Sequence, residues 1–246
     1  MKTIQIPNSI KAISACAVAS LVFSAITPLQ AQQDLLAKNK ADLEVRISQN
    51  RARLDQRQID PAKAIPAAVL AAAKGVVILN QVKAGLVIGA EVGNGVVILK
   101  DAQGNWGPPA FVTIGKGSFG FQIGASETIS FFILMTDESL KLVRGGGAGG
   151  IGVSLKAAVG PLGAGGDIGS ASLRKPVLVY SNVKGAFAGA SIDTGGLIGS
   201  EKRNQVAYDG MNMEQILFSG NAVITPAGKL LGDALSFYSG KPVPVQ

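Results

Sequence analysis

Glycine-broken runs of apolar residues dominate the middle of the chain. Residues 62–101 contain the alanine-rich stretch AAVLAAAK and pass through Gly75 into the apolar runs VVIL, LVIGAE and VVILK. Short runs of Val, Ile and Leu between turn-forming residues are typical of β-strands. The pattern recurs up to Lys202. It predicts an α+β fold with a mainly antiparallel, glycine-rich sheet of the barrel or sandwich type.

Three local signals refine this prediction. Asn94-Gly95 favours a tight turn, because both residues tolerate positive φ, and it should join a strand at 86–91 to one at 96–100. The run ISFFILM at 129–135 is apolar on both faces and predicts a central strand. Pro108-Pro109 does not fit the middle of a sheet, so these residues mark a loop or an edge.

Helical patterns flank the predicted sheet. Residues 32–58 contain no Gly or Pro and place four apolar residues on one helical face: Leu36, Leu43, Ile47 and Leu54. Two interpretations of this amphipathic helix stay open: it docks on the domain or a partner protein, or it lies on a membrane surface. The alanine-rich helix should end at Gly75. Thr225-Pro226 should begin the last helix, which runs to about Tyr238.

The first 31 residues have the pattern of an export signal. Lys2 and Lys11 carry positive charge ahead of an apolar run of about 15 residues. That run is shorter than the roughly 20 residues that span a bilayer. Ala31, after the run, is a small residue suited to cleavage. The residues before Cys16 resemble the motif that precedes the lipidated cysteine of a lipoprotein. The position of Cys16 inside the apolar run disfavours lipidation, which stays open as the alternative. The predicted division is a signal at 1–31, a helical segment at 32–60, one domain at 61–240 and a proline-containing tail at 241–246.

Composition supports a folded domain and removes several kinds of chemistry. The chain has 246 residues, of which 47% are hydrophobic, enough for a substantial core. It has no histidine, the commonest general base and metal ligand. If the signal is cleaved, Cys16 leaves with it and no thiol remains. We therefore predict no metal, no cofactor and no catalytic residue, which leaves a hydrolase with an unusual site as the weakest interpretation.

The chain is modestly basic, with a formal charge of +7 that falls to +5 without Lys2 and Lys11. Several cations lie beside glycine turns or at the ends of predicted strands, where they could meet at one rim of the domain and contact an anionic lipid surface. These candidates are Lys74, Lys83, Lys116, Arg144, Lys184, Lys202 and Arg203. Few aromatic residues are available to stack on bases, so nucleic acid is not an expected partner.

Two glycine motifs invite a nucleotide or anion interpretation, and neither has the right context. Residues 115–120, GKGSFG, match GxGxxG, but the residues that follow alternate like a strand, whereas a dinucleotide site needs a helix there. The run GGGAGG at 145–150 could cradle an anion, although a flexible connector explains it better. Asp137 and Glu138 are adjacent, and one of them is better explained as a helix cap than as half of a catalytic pair.

Several stretches, in order along the chain, resemble the SYLF domain family. They are AIPAAVLAAAKGVVIL, VKAGLVIGAEVGNGVVILKDAQGNWGPPAFVTIGKGSFGFQIGA, FFILMTDESLKLV, AAVGPLGAGGDI, VLVYSNVKGAFAGASI and EKRNQVAYDG, and together they cover about residues 59–235. The resemblance implies a largely antiparallel β domain with flanking helices that binds membrane phospholipid. Eukaryotic members bind phosphoinositides, fungal members also bind actin filaments, and the domain is not known as an enzyme.

For this chain, the resemblance implies lipid contact through basic residues and an amphipathic helix. By position, the nearest counterparts are residues 32–58 and 62–74, with Lys74 in the motif AKG and Lys83 in VKAG. An exported bacterial member would not meet actin or phosphoinositides, so the expected partner is anionic phospholipid, in the periplasm or at the outer membrane. The alternative is a structural or envelope-assembly protein that binds another envelope protein through its β domain or its first helix.

Overall fold

The computed structural model describes residues 10–85, 88–119, 124–144, 157–161, 173–182 and 197–240. The helices are α1 (Ile10–Ile59), α2 (Ala67–Ala72), a 3₁₀ turn (Ser139–Leu142), α3 (Glu201–Ala207), α4 (Met213–Phe218) and α5 (Pro226–Tyr238). The strands are β1 (Gly75–Gly85), β2 (Ile88–Leu99), β3 (Ala110–Phe119), β4 (Gly124–Leu134), β5 (Ala157–Val159), β6 (Val177–Ser181) and β7 (Ile198–Gly199).

The chain divides into two compact units, Met1–Asp42 and Leu43–Gln246. In the first unit, Leu35 and Leu36 are exposed on α1. Among the described residues, no helix is both long enough and apolar enough to cross a membrane. The predicted residue Lys184, the glycine run at 145–150 and the tail at 241–246 lie outside the described residues.

The strands form one sheet in the order β5-β6-β4-β1-β2-β3-β7. Each neighbouring pair is antiparallel except β5 with β6. Because β5 and β7 lie at opposite edges, the sheet is open among the described strands. The α+β fold with a mainly antiparallel sheet and flanking helices is confirmed, and a single open sheet takes the place of the expected barrel or sandwich.

The turn predicted at Asn94-Gly95 is wrong, because β2 is one uninterrupted strand there. It pairs with β1 from Gly75 opposite Leu99 to Gly85 opposite Gly89, with Asn94 opposite Asn80. A Cβ on Gly95 would lie 1.8 Å from the carbonyl oxygen of Ile78. The glycine therefore serves the close approach of two backbones, and the pairing of a whole strand overrides the local turn preference.

Both faces of the sheet are covered, and alternate residues of each central strand enter different cores. On β4, Phe131 and Ile133 pack with residues of α1, α2 and α5, whereas Phe132 and Leu134 pack with residues of α4. The prediction that residues 129–135 form a central strand is confirmed. Burial of each such side chain stabilises the fold by about 1.5–3 kcal/mol before other terms are counted.

From Leu43 onward, helix α1 is built into the first of these cores. Leu43, Ile47 and Leu54 are buried, and the helix packs beside α2 and α5 residues such as Val69 and Leu231. This supports docking of the helix on its own domain. These three residues of the apolar stripe are consequently not free to enter a lipid surface.

The predicted start of the last helix is confirmed, whereas the predicted end of the alanine-rich helix is wrong. Thr225 Oγ1 accepts a hydrogen bond from the Gly228 amide at 3.2 Å, and Pro226 is the first residue of α5. Helix α2 ends at Ala72, and Gly75 is already the first residue of β1. A Cβ on Gly75 would lie 2.4 Å from Leu99 Cδ2, so close packing against β2 explains this glycine.

Candidate functional site

The predicted basic residues have different local environments. Lys74 precedes β1, and its Nζ lies 2.6 Å from Asp137 Oδ1, so its charge is paired. Asp137 therefore faces Lys74, and it makes no side-chain hydrogen bond that caps the 3₁₀ turn. The Arg144 guanidinium lies 4.4 Å from the centre of the Phe218 ring. Lys202 is exposed on α3. Lys202 and Arg144 are both exposed, whereas Lys74 is partly buried.

Two further predicted lysines belong to one row of the sheet. Lys83 on β1 is opposite Glu91 on β2, and Glu91 is opposite Lys116 on β3. Nine residues separate Lys74 from Lys83, which corresponds to roughly 30 Å along an extended strand. The structure thus brings Lys83 and Lys116 into register and leaves Lys74 beyond the other end of β1. Their role in lipid binding stays a prediction.

Arg203 is the predicted residue that leads to a defined site. Its Nη1 donates a hydrogen bond to Asn94 Oδ1 at 2.8 Å and lies 3.4 Å from Ser200 Oγ. Burial, together with the neighbouring charge of Arg46, lowers the pKa of Arg203. Two guanidinium groups from different helices are therefore close enough to repel each other.

Arg203 borders a cleft of about 160 Å³ between α1, α3 and the central strands, which we name the arginine cleft. Its described lining residues include three arginines and four side-chain amides, and none of them is a carboxylate. The lining residues are Arg46, Gln49, Asn50, Arg53, Asn80, Val82, Asn94, Gly95, Phe111 and Arg203. All of them belong to the compact unit that begins at Leu43.

Helix α1 supplies one wall of the arginine cleft. Residues 46, 49, 50 and 53 are three or four positions apart and share one helical face. Asn50 is only 3% exposed; its Nδ2 donates to the Arg46 carbonyl at 2.9 Å, and its Oδ1 accepts from Arg53 Nη1 at 3.2 Å. Asn50 thereby fixes the position of Arg53 without neutralising its charge.

The sheet supplies the floor of the cleft through two asparagines on adjacent strands. Asn80 and Asn94 are opposite one another in the β1–β2 register. Asn80 Nδ2 donates to Glu127 Oε1 at 2.6 Å, whereas Asn80 Oδ1 is buried with no hydrogen-bond partner in the described part of the chain. Burial lowers the pKa of Arg53, an effect that the charge of Glu127 opposes. Within the described part of the chain, the single charge of Glu127 does not balance the three arginines of the lining.

Arg57, one turn further along α1, is used differently. It donates to the Ser181 carbonyl at 2.9 Å, and its guanidinium lies 5.8 Å from the centre of the Tyr180 ring. These contacts tie α1 to β6. Arg57 is therefore a structural residue, in contrast to Arg46, whose side chain is exposed beside the cleft.

Sequence reasoning identified Arg203 and missed the rest of the arginine cleft. Arg46 and Arg53 are not among the predicted binding residues, and Asn94 is predicted to lie in a turn. The available signal was Asn50, which lies three residues after Ile47 and four before Leu54, in line with the apolar stripe. A polar residue in such a line indicates a buried hydrogen-bonding group. Within the described residues, no group of His, Cys, Asp and Glu is arranged to hold a metal ion.

The fold and the arginine cleft together define an α+β domain with a strongly cationic recess. Residues 115–238 match a family model, Ysc84, described as "Las17-binding protein actin regulator". The chain belongs to the Ysc84 family, so the resemblance to the SYLF domain is confirmed.

Three relatives show how far the similarity extends. SH3 domain-containing YSC84-like protein 1 of Homo sapiens is 36% identical over 150 residues, which cover 60% of this chain and 44% of that protein. An SH3 domain-containing protein of Schizosaccharomyces pombe is 33% identical over 178 residues, covering 71% and 41%. Protein YSC84 of Saccharomyces cerevisiae is 27% identical over 166 residues, covering 66% and 36%.

The chain therefore spans less than half the length of these curated relatives. No solved structure matches it.

Proposed function

We propose that this protein is a non-enzymatic, exported member of the Ysc84 family that binds anionic membrane phospholipid. The observation that carries the proposal is the arginine cleft, where Arg46, Arg53 and Arg203 gather and the described lining residues include no carboxylate. Each cation close to an anionic membrane contributes about 1 kcal/mol of binding free energy. Three together, assisted by exposed residues such as Lys202, would supply useful affinity.

Export to the periplasm or outer membrane of a bacterium is part of this proposal. It is supported by the sequence pattern of residues 1–31, in which two lysines precede or open an apolar run. The family description names actin regulation. For an exported bacterial protein we propose lipid, and not actin, as the partner.

Co-sedimentation with lipid vesicles tests the proposed function. The protein should pellet with vesicles that contain phosphatidylglycerol and stay in solution with pure phosphatidylcholine. Binding should weaken with added salt, because the Debye length shrinks from about 10 Å at 0.1 M to about 3 Å at 1 M ionic strength. Equal binding to neutral vesicles, or binding that salt does not change, would exclude the electrostatic mechanism.

A second candidate function is docking of another envelope protein. It is favoured by a groove of about 500 Å³ between α1 and α5, where Val45 and Leu230 are 54% and 49% exposed. Removing residues 32–58 would not test it, because Leu43, Ile47 and Leu54 belong to the core. The variants Val45→Asp and Leu230→Asp change the groove and leave the core intact. Loss of a co-purifying protein with vesicle binding retained would favour this candidate.

A further inference from the structure

We propose that the arginine cleft is a binding site for a single phosphoryl group, held between Arg46 and Arg53 of α1 and Arg203 of α3. The inference deepens the proposed function, and its lipid form rests on that function. A phosphoryl group offers three terminal oxygens, and arginine offers a planar fork of five N–H donors that matches them. Two helices approaching over one sheet thus supply donors from different directions.

The charges in the cleft are arranged for an anion. Burial is the larger cost of the charge on Arg203, and the positive charge of Arg46, in the same lining, adds to it. The groups that hold Arg53 and Arg203 in place are the neutral amide oxygens of Asn50 and Asn94. Hydrogen bonds between guanidinium groups and a phosphate are charge-assisted and roughly twice as strong as neutral ones. A bound oxyanion would relieve the repulsion that the protein alone leaves in place.

The size and polarity of the cleft suit a small tetrahedral ligand. Its volume of about 160 Å³ is near that of a protein cavity known to hold benzene, a group of about six heavy atoms. Asn80 donates through Nδ2 to Glu127, which leaves its buried Oδ1 as an acceptor without a partner among the described residues. A phosphoryl oxygen that carries a proton can donate to this atom. A fully ionised sulfate has no proton to offer there.

Calorimetric titration with inorganic phosphate tests the site directly, and co-sedimentation with phosphatidic acid vesicles tests a phosphomonoester headgroup. The variants are Arg46→Gln, whose side chain makes no hydrogen bond or ion pair among the described residues, and Arg46→Gln combined with Arg203→Gln. Arg51→Gln is the matched control: it removes the same charge from α1, but Arg51 pairs with Asp55 and does not line the cleft. Thermal unfolding confirms that each variant is folded.

We expect Arg46→Gln to weaken phosphoryl binding by about tenfold, the double variant to weaken it further, and Arg51→Gln to stay within about twofold of the parent. Binding of free phosphate alone, with this dependence, supports the site and rejects the membrane function. Binding of phosphatidic acid alone, with this dependence, supports both and assigns the headgroup as the source. Vesicle binding that is equally strong in the double variant and Arg51→Gln overturns the site and leaves the membrane function standing. Failure of both probes to bind overturns both.

Discussion

At the scale of single residues, Gly95 sets how closely β1 and β2 approach beneath the arginine cleft. A Cβ on Gly95 would lie 1.8 Å from Ile78 O and 2.8 Å from Ile78 C. These neighbours are backbone atoms of a central strand, so they have no room to move aside. Among the described glycines, Gly95 therefore leaves the least room for a side chain.

Gly95→Ala should lower the free energy of unfolding by about 3 kcal/mol or more, because overpacking against a fixed backbone strains both strands. Gly107→Ala is the control, since its nearest neighbour, Leu99 O, would be at an ordinary 3.5 Å, and it should change stability by about 0.5 kcal/mol or less. Urea denaturation measures both. A Gly95→Ala protein with the unfolding midpoint of the parent would contradict the β1–β2 register.

Asn204 is a second residue with a defined structural task. It is fully buried; its Oδ1 accepts from the Phe111 amide at 2.7 Å, and its Nδ2 donates to the Phe111 carbonyl at 3.0 Å. Asn204→Ala should cost about 1–3 kcal/mol, because the Phe111 amide loses its acceptor, whereas the Phe111 carbonyl keeps the Ser200 amide as a donor at 2.9 Å. Gln205→Ala, at an exposed position of the same helix, should be nearly neutral. Equal unfolding midpoints for the two variants would mean that α3 is not held to β3 by this side chain.

At the scale of elements, helix α1 joins the hydrophobic core to the arginine cleft. Ile47 and Asn50 are three residues apart on the helix; one is buried in the core and the other positions Arg53. Apolar packing thus determines where the cationic face lies. Loss of that packing should lower the stability of the fold, and it should also weaken anion binding, because Arg53 would no longer be held over the cleft.

Ile47→Ala should destabilise the protein by about 2–5 kcal/mol through lost burial and the cavity left behind. Val45→Ala is the matched control on the same helix, since Val45 is 54% exposed while Ile47 is 0% exposed, and it should cost about 0.5 kcal/mol or less. Thermal unfolding of the two variants provides the comparison. Similar melting temperatures would show that residues from 43 onward do not dock on the sheet.

The sequence carried enough information for elements whose signals are local. Thr225-Pro226 marked the start of α5 because a cap and a proline act within one turn, and the run at 129–135 marked β4 because burial on both faces needs continuous apolar residues. The turn predicted at Asn94-Gly95 is wrong, because the turn preference of this dipeptide is local and does not include the pairing of whole strands. The pairing that overrides it extends over 11 residues of β1.

The arginine cleft was less predictable for the same physical reason. Arg203 stood out as a cation beside a predicted strand end, but its partner Asn94 comes from a strand more than 100 residues away in the chain. The pairing of Asn80 with Asn94 depends on the strand register, and the contribution of Arg46 and Arg53 depends on how α1 rotates over the sheet. Neither the strand register nor the rotation of α1 over the sheet follows from composition or residue spacing.

At the scale of the whole molecule, the titration of the three tyrosines measures how far their side chains are buried between the sheet and the helices. Burial raises the pKa of Tyr180, of Tyr208 and of Tyr238, and the hydrogen bond from Tyr238 to Asp55 raises the last one further. Tyr208 also donates a hydrogen bond to the Pro109 carbonyl. All three tyrosines of the chain therefore favour the protonated form when the protein is folded.

A raised pKa means that the folded state binds the proton more tightly. Its stabilising contribution is complete below the unfolded value near pH 10 and is lost as the pH rises through the folded values. We expect tyrosinate absorbance to appear only above pH 10 in the native protein and near pH 10 in urea, with the free energy of unfolding falling above pH 10. Native tyrosines that titrate as they do in urea would contradict their burial.

The central claim is that the arginine cleft recognises the phosphate of an anionic lipid, and competition on vesicles tests it most directly. The protein is bound to phosphatidic acid vesicles, and glycerol 3-phosphate or sodium chloride is added to the same ionic strength. Our account predicts that glycerol 3-phosphate releases much more protein, because it occupies the cleft as well as screening charge. Equal release by the two solutes would contradict the account, since only diffuse surface attraction would then be at work.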